Sequence, residues 1–368
     1  MKVFALSFMT FAGLAIGHVV KVGSDCESPK EWGVNTVPIV SVAERCDGPD
    51  RKTEPPHGAI VVDPSGNHAG SFKTITEGLA HVPNTTESHT LFIFAGVFKE
   101  QVIIPDLTGP LIIQGYTCSP KAYSSNQVTI TYSMTAQDVS PEIKFNGNRL
   151  SSTLAGISKS GVKVYNLNIE NTANSVEDRG RAGAVYIDQT DYGFYQCQIK
   201  SQRGALTANR GLELFVSTYI QGAENLISGR EGMAWFQSCS IETTGKGWIT
   251  ANGNEQSEIK SEFVLNNASI YSAMAPMNTT FLGRPWGKFA RTVIQNSWID
   301  SVVNPKGWTT YKNDTTENVY FKEFNNTGPS AALDKRVEFS GKLDAAKAIT
   351  EILGKDYASK FFYDSERF

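Results

Sequence analysis

The chain has 368 residues, a formal net charge of -3 and a pI near 6.0, with 19% charged and 40% hydrophobic residues. This length allows one large or two ordinary domains with a sizeable core. The near-neutral charge argues against binding to nucleic acid, which needs a basic surface to meet phosphates. The low charge content, 32 glycines and 11% aromatic residues favour a β-rich extracellular protein and exclude a coiled coil or an intrinsically disordered chain.

Residues 1–17 are typical of a secretory signal peptide. Lys2 precedes an apolar run from Val3 to Ile16, and small residues at its end suit cleavage. The run is shorter than the ~20 residues that a membrane span needs, so we expect a secreted, extracellular protein without a membrane anchor after signal removal. Glycosylation sequons, which predict a glycoprotein, begin at Asn84, Asn267, Asn278, Asn313 and Asn325.

Residues 18–57 are predicted to form an irregular N-terminal arm, because prolines interrupt any periodicity. The five cysteines all follow the signal, and their odd number leaves at least one thiol unpaired within the chain. We favour a Cys26–Cys46 disulfide that would staple the arm. The other three, Cys118, Cys197 and Cys239, are expected to be buried thiols. The cysteine spacing does not suggest zinc, and no cofactor is expected.

From Leu91 onward the sequence consists of short apolar β-runs separated by turns. Six runs end in isoleucine, with spacings of 30, 21, 21, 29 and 29 residues, at Ile169, Ile199, Ile220, Ile241, Ile270 and Ile299. A period of this size with one stacked strand pattern per repeat indicates a solenoid. We therefore predict an all-β domain over residues 58–368, a right-handed parallel β-helix, with a β-sandwich as the alternative. Helical patterns at 72–82 and from about residue 345 are expected to cap its two ends.

A series of ordered motifs then resembles the pectin methylesterases, especially the fungal members. The first is AGVFKE at 95–100, followed by GYT at 115–117, YSSNQVTIT at 123–131 and YNLNIENT at 165–172. WITANG at 248–253, LGRPW at 282–286, GWTTY at 307–311 and TENVYF at 316–321 continue it. The resemblance covers roughly residues 58 to 355. It implies a secreted right-handed parallel β-helix that removes methyl esters from pectin.

The resemblance also implies a chemistry based on two aspartates on neighbouring turns. One carboxylate attacks the ester carbonyl and the other transfers protons. Counted from Cys197, the proton-transferring aspartate falls on Gly204, and the nucleophilic aspartate falls on Asn225. An asparagine amide is a poor nucleophile, and glycine has no side chain, so the ordinary esterase mechanism is expected to be absent.

The family also uses two glutamines to hold the oxyanion, and these fall on Arg203 and Arg181. Only the arginine that holds the nucleophile and the tryptophan beside it are retained, as Arg284 and Trp286. Because arginine forks recognise carboxylates, we expect Arg181, Arg203 and Arg284 to face a groove that prefers demethylated pectin. The alternative is that Arg181 and Arg203 are surface residues paired with Glu224, Glu231 or Asp188.

Glu224 adjoins Asn225, but successive strand residues point to opposite faces, so its carboxylate is expected to face away from the cleft. Three functions remain open. The chain is a non-catalytic protein that binds pectin or a galacturonate polymer, an active esterase that uses displaced residues, or a secreted structural or interaction protein. A monomer is expected. Pectate lyase and polygalacturonase chemistry fit less well, because the acidic clusters that they need are not in the expected pattern.

Overall fold

A computed structural model describes residue 46 and the ranges 48–140, 144–145, 148–173, 180–311 and 316–368. Over these residues the chain coils into successive turns, and the strands of equivalent position stack in three large sheets. Strand pairs in all three sheets are parallel. The predicted parallel β-helix is therefore confirmed, and the β-sandwich alternative is wrong because a sandwich is built from antiparallel sheets.

The strands of the first half of the chain are short. In chain order they are β1 (Ile60–Val62), β2 (His89–Ile93), β3 (Gly96–Lys99), β4 (Val102–Ile104), β5 (Leu111–Gly115), β6 (Val128–Tyr132), β7 (Lys144–Phe145), β8 (Asn148–Arg149), β9 (Leu154–Gly156), β10 (Val162–Tyr165), β11 (Leu167–Asn171), β12 (Val185–Ile187), β13 (Tyr192–Tyr195) and β14 (Gln198–Ser201). β7 and β8 form a small antiparallel hairpin outside the solenoid.

The second half continues the same winding. Its strands are β15 (Leu206–Ala208), β16 (Arg210–Val216), β17 (Tyr219–Gly222), β18 (Ile227–Gly229), β19 (Glu231–Gln237), β20 (Ser240–Thr243), β21 (Gly247–Asn252), β22 (Glu262–Asn266), β23 (Ser269–Tyr271), β24 (Thr280–Gly283), β25 (Arg291–Gln295), β26 (Trp298–Ile299), β27 (Tyr320–Phe324) and β28 (Ser340–Lys342).

Each complete turn adds one strand to each of three sheets. The eleven-strand sheet has the order β1-β2-β5-β10-β13-β16-β19-β22-β25-β27-β28, the eight-strand sheet β26-β23-β20-β17-β14-β11-β6-β3, and the seven-strand sheet β24-β21-β18-β15-β12-β9-β4. The hydrophobic core fills the space that these sheets enclose. Side chains therefore meet the equivalent side chains of the turns above and below, as in the stacked rings of Phe194, Phe215 and Phe236.

The repeated isoleucines form one continuous stack in the eight-strand sheet. Ile169 pairs with Ile199, which pairs with Ile220, and the same register continues through the other three members of the series. All six are fully buried. Burying a side chain of this size contributes roughly 1.5–3 kcal/mol, so the stack is a main source of stability.

The isoleucine runs are not single strands, which differs from the prediction. In every run a residue with a left-handed backbone lies a few positions before the isoleucine, at the corner between the eleven-strand and eight-strand sheets. The corner residues are Asn166, Gln196, Ser217, Ser238, Asn267, Asn296 and, one turn later, Asn325. Asparagine tolerates this conformation better than most residues, which explains its recurrence here.

Two short α-helices flank the solenoid in the chain. Helix α1 (Ile75–Ala80) begins at a capping box formed by Thr74 and Glu77, and it packs closely on the first turn through Gly78. Helix α2 (Ile349–Leu353) buries Ile352 and Leu353 in a cluster on the outer face of the eleven-strand sheet. The prediction that this second helix caps an end of the solenoid is therefore wrong, because α2 covers a side of it. Short 3-10 turns occur at Tyr123–Ser125 and Tyr357–Ser359.

The disulfide differs from the predicted Cys26–Cys46 pair. Cys46 is bonded to Cys118, 72 residues away, and beside it Lys52 and Thr117 exchange two backbone hydrogen bonds of 2.9 Å. The described part of the arm is thus tied to the first turns of the solenoid, a pairing that sequence spacing cannot distinguish from a local one. Cys197 and Cys239 are buried free thiols, as expected.

The N-terminal prediction concerns a region that is mostly not described. The signal peptide at 1–17 and most of the arm at 18–57, including Cys26, lie outside the described residues. In the part of the chain that the structure describes, no helix has the length and apolar character needed to cross a bilayer.

Candidate functional site

The predicted site residues come from neighbouring turns of the solenoid, along the edge that the N-terminal ends of β15 and β18 form in the seven-strand sheet. Arg203 and Gly204 lie just before β15, and Glu224 and Asn225 lie at the equivalent place before β18. A parallel bridge pairs Arg203 with Glu224, so the two segments are adjacent. Arg284 follows β24 and folds back to reach the same edge. The structure therefore brings together residues from three stretches of sequence.

Arg284 is held from several sides. Its Nε donates a 3.1 Å hydrogen bond to the Asn225 Oδ1, and its guanidinium lies 3.5 Å from the ring centre of Trp248 and 4.7 Å from that of Tyr311. The Arg284 side chain is only 11% exposed. Burial lowers its pKa, and the neighbouring Glu224 carboxylate opposes that shift. Arg284 is therefore a fixed cation that already uses one donor on an amide.

Glu224 does not face away from this edge, and the prediction of its orientation is wrong. The Arg203 Nε lies 2.7 Å from one carboxylate oxygen of Glu224, and the Arg203 Nη2 donates a 3.2 Å hydrogen bond to the other. The second oxygen is also 3.6 Å from the Arg284 Nη2. Strict alternation of side chains holds only in regular strands, and Asn225 breaks it with a φ of 50°. Glu224 and Asn225 consequently both reach Arg284.

Arg181 occupies the space beside Gly204. A Cβ atom added to Gly204 would lie 3.7 Å from the Arg181 Cδ, and the φ of 75° at Gly204 strains any residue with a side chain. The Arg181 guanidinium lies 4.2 Å from the ring centre of Trp286, in cation–π contact. Unlike Arg203, Arg181 forms no ion pair with Glu224, Glu231 or Asp188 among the described residues.

Arg230 is a cation at this site that sequence reasoning missed. It directly follows β18, and its Cγ and the Trp286 Cβ both lie within 4 Å of the Cβ position of Gly253. Burial lowers the pKa of Arg181 to about 10, and the next largest cause is the positive charge of Arg230. The signal available in the sequence was its position, one residue after the 224–229 segment that contains Asn225.

The remaining acidic candidates lie elsewhere. Asp188 is fully buried and accepts a 2.7 Å hydrogen bond from the Asn209 Nδ2, while Asp191 accepts one from Thr190 in a turn. Glu224 is therefore the one carboxylate that contacts Arg284 among the described residues. The site combines several guanidiniums and aromatic rings with a single carboxylate that is already paired. Guanidiniums of this kind can bind carboxylates in two-point geometry. Among the described residues no second carboxylate contacts this group.

Comparisons with known proteins agree with the fold and the motifs. The pectinesterase family model matches residues 59–362. A pectinesterase from Aspergillus aculeatus is 36% identical over 317 residues, which cover 84% of this chain and 92% of that protein. One from Aspergillus niger is 35% identical over 311 residues, or 82% and 90% of the two chains. The crystal structure of a pectin methylesterase from Aspergillus niger superposes with a TM-score of 0.77 at 29% identity, covering 86% of this chain and all of that one. The chain belongs to the pectinesterase family.

Proposed function

We propose that this protein is a secreted pectin-binding member of the pectinesterase family that does not hydrolyse the methyl ester. In this proposal the mature chain starts after residue 17, the solenoid over 58–368 is the functional domain, and the protein acts as a monomer in the extracellular space. Its ligand is pectin, with a preference for stretches of free galacturonate.

One observation carries the proposal: the guanidinium of Arg284 holds the amide of Asn225. In the family chemistry this arginine fixes a nucleophilic carboxylate, but the Asn225 oxygen that accepts its hydrogen bond at 3.1 Å belongs to an amide. Across the edge, Gly204 supplies no group that could transfer a proton. Loss of catalytic groups that act together typically lowers the rate by on the order of 10^4 to 10^6.

The same residues support binding. Arg181, Arg284 and Trp286 lie at one edge of the solenoid, together with the Arg203–Glu224 pair. Guanidinium groups bind carboxylates in two-point geometry, and aromatic rings bind sugar faces by packing. A methyl ester is neutral and has only one good acceptor oxygen, so it lacks the ion-pair attraction and the two-point geometry of a carboxylate, and the demethylated polymer is the better ligand.

A specific observation favours a second candidate, an esterase that uses Glu224. Its carboxylate is 27% exposed and lies beside Arg284, the residue that holds the nucleophile in the family. Against this candidate, the bidentate contact with Arg203 withdraws the Glu224 lone pairs from attack, and no second acid or base contacts it among the described residues.

Methanol release from highly methylated pectin tests the two candidates. We expect the purified wild-type protein to release no more methanol than a heat-killed sample, while it binds polygalacturonate in a calorimeter. Release that disappears in Glu224→Gln would establish the second candidate and overturn the first. Binding to neither polymer would favour the remaining function, a structural or interaction protein.

Restoring the lost carboxylate provides a gain-of-function test. Asn225→Asp is nearly isosteric, and aspartate tolerates the left-handed backbone of this position, so the variant is expected to fold. Combined with Gly204→Asp, it should produce measurable methanol release. Neither the wild type nor the single variant Gly204→Asp, which keeps Asn225, should show this release. The activity will be limited, because aspartate at 204 must adopt a strained backbone. Equal release by the wild type and the double variant would contradict the proposal.

A further inference from the structure

The arginines of the site fall into two groups that differ in how their charge is balanced. Arg203 and Arg284 share the Glu224 carboxylate, at 2.7 and 3.6 Å. Arg181 and Arg230 have no carboxylate partner among the described residues, and after burial the positive charge of Arg230 is the next largest cause of the lowered pKa of Arg181. Among the described residues, the site arginines whose charge is not balanced by a carboxylate are therefore Arg181 and Arg230.

Arg181 and Arg230 lie close to Trp286 and Gly253. The Arg181 guanidinium packs over the Trp286 ring at 4.2 Å, and the Arg230 Cγ and the Trp286 Cβ both border the Cβ position of Gly253, at 3.2 and 3.7 Å. The backbone around them is tightly paired, since the Gly253 amide donates to the Gly229 carbonyl at 2.7 Å and the Trp286 amide donates to the Asn252 carbonyl at 2.8 Å. Two turns and one loop thus converge on a preformed cationic site.

We propose that Arg181 and Arg230 form the site that reads the free carboxylate of galacturonate, with the anion bridging their two guanidiniums beside Trp286. The proposal rests on the proposed function and assigns its selectivity to a particular pair. Arg203 and Arg284 are not assigned this role, because both already contact the Glu224 carboxylate. Arg230 becomes a specificity-determining residue.

The physical basis is the cost of holding two like charges together without a counter-ion. At an effective dielectric of about 20, unit charges several Å apart repel by a few kcal/mol, and an anion between them turns this repulsion into attraction. Burial is the main cause of the lowered pKa of Arg181, and the positive charges of Arg230 and Arg203 contribute to it. A methyl ester at the same place would leave the repulsion unchanged, so the site distinguishes acid from ester.

The experiment measures dissociation constants of the full secreted chain for polygalacturonate and for highly methyl-esterified pectin. Arg230→Gln is the primary variant, because Arg230 is exposed and its removal should not disturb folding. We expect it to weaken polygalacturonate binding about tenfold and to change binding of the esterified polymer by less than about twofold. Arg181→Gln should act in the same direction, with its melting temperature measured to confirm folding.

Arg51→Gln is the matched control, since it removes one exposed arginine whose guanidinium donates to the Gly48 carbonyl near the disulfide, away from the candidate site. It should leave both affinities unchanged. Weakening by Arg51→Gln equal to that by Arg230→Gln would show that only overall charge matters and would overturn the inference. An unchanged ratio of the two affinities in Arg230→Gln would also overturn it while leaving the proposed function intact. A wild-type protein that binds neither polymer would overturn both.

Discussion

The last turns of the solenoid and the candidate site each contain an arginine–glutamate pair, and the two pairs have different surroundings. Arg336 and Glu323 make two contacts of 2.7 and 2.9 Å, and their side chains are 6% and 2% exposed. Arg203 and Glu224 have almost the same geometry but are 20% and 27% exposed. The remaining donors of Arg336 are also satisfied, by the carbonyls of Pro305 and Ser330.

This difference shows that an arginine–glutamate ion pair can stabilise the fold where it is buried, and can exchange its partner for water or a ligand where it is partly exposed. The buried pair at Arg336 and Glu323 cannot be separated without leaving a charge in a dry environment. The pair at Arg203 and Glu224 borders solvent, where water or a ligand carboxylate can replace either partner. A third glutamate, Glu213, extends the comparison because it is fully buried and, among the described residues, neither of its carboxylate oxygens has a hydrogen-bond partner.

The largest expected effect comes from removing the charge of the buried pair. Glu323→Gln should lower the free energy of unfolding by about 3 kcal/mol, because Arg336 is left charged in the interior. Glu224→Gln, the matched change at the exposed pair, should lower it by less than about 1 kcal/mol. Chemical unfolding followed by tryptophan fluorescence measures both. Similar losses in the two variants would mean that burial does not separate the pairs.

A pH-dependent effect of intermediate size is expected at Glu213. Burial raises its pKa well above the ordinary value, and the nearby Asp188 adds to the shift; Tyr192 is the other titratable neighbour. The unfolded chain ionises this glutamate above its ordinary pKa while the folded protein keeps it neutral. Stability is therefore lost as the pH rises through that window, by about 1.4 kcal/mol per pH unit.

Glu213→Gln removes this titration without changing the side-chain shape. We expect the variant to match the wild type at about pH 4 and to be more stable at about pH 8, as measured by unfolding at both values. Asp188 is present in both the wild type and the variant, so its titration contributes about equally to the stability of each and largely cancels in their difference. The same stability difference at the two pH values would contradict the assignment.

The smallest effect concerns the exchangeable pair and ligand affinity. Glu224→Gln frees donors of Arg203 and Arg284, so polygalacturonate should bind severalfold more tightly, by up to about tenfold. Glu231→Gln is the control, since Glu231 pairs with Arg210 at 3.0 Å in a similarly exposed setting. Titration calorimetry compares the two. Equal gains in both variants would indicate general charge reduction and not release of the site arginines.

Much of the scaffold could be predicted from local spacing. The isoleucine series predicted the register of the eight-strand sheet because each turn must place an apolar residue over the one beneath it. Strand boundaries could not be predicted in the same way. The left-handed corners, such as Asn166 and Ser217, lie inside runs that read as continuous strands, and their conformation depends on the meeting of two sheets.

The sequence by itself determined which residues stand at the family's catalytic positions, including Asn225 and Gly204, because this requires only counting along ordered motifs. The tertiary structure decided what surrounds them. It turned Glu224 toward Arg284, brought Arg230 and Trp286 together beside Gly253, and bonded Cys46 to Cys118. These residues lie far apart in the sequence, and their geometry depends on side-chain directions at irregular backbone, which periodicity does not encode.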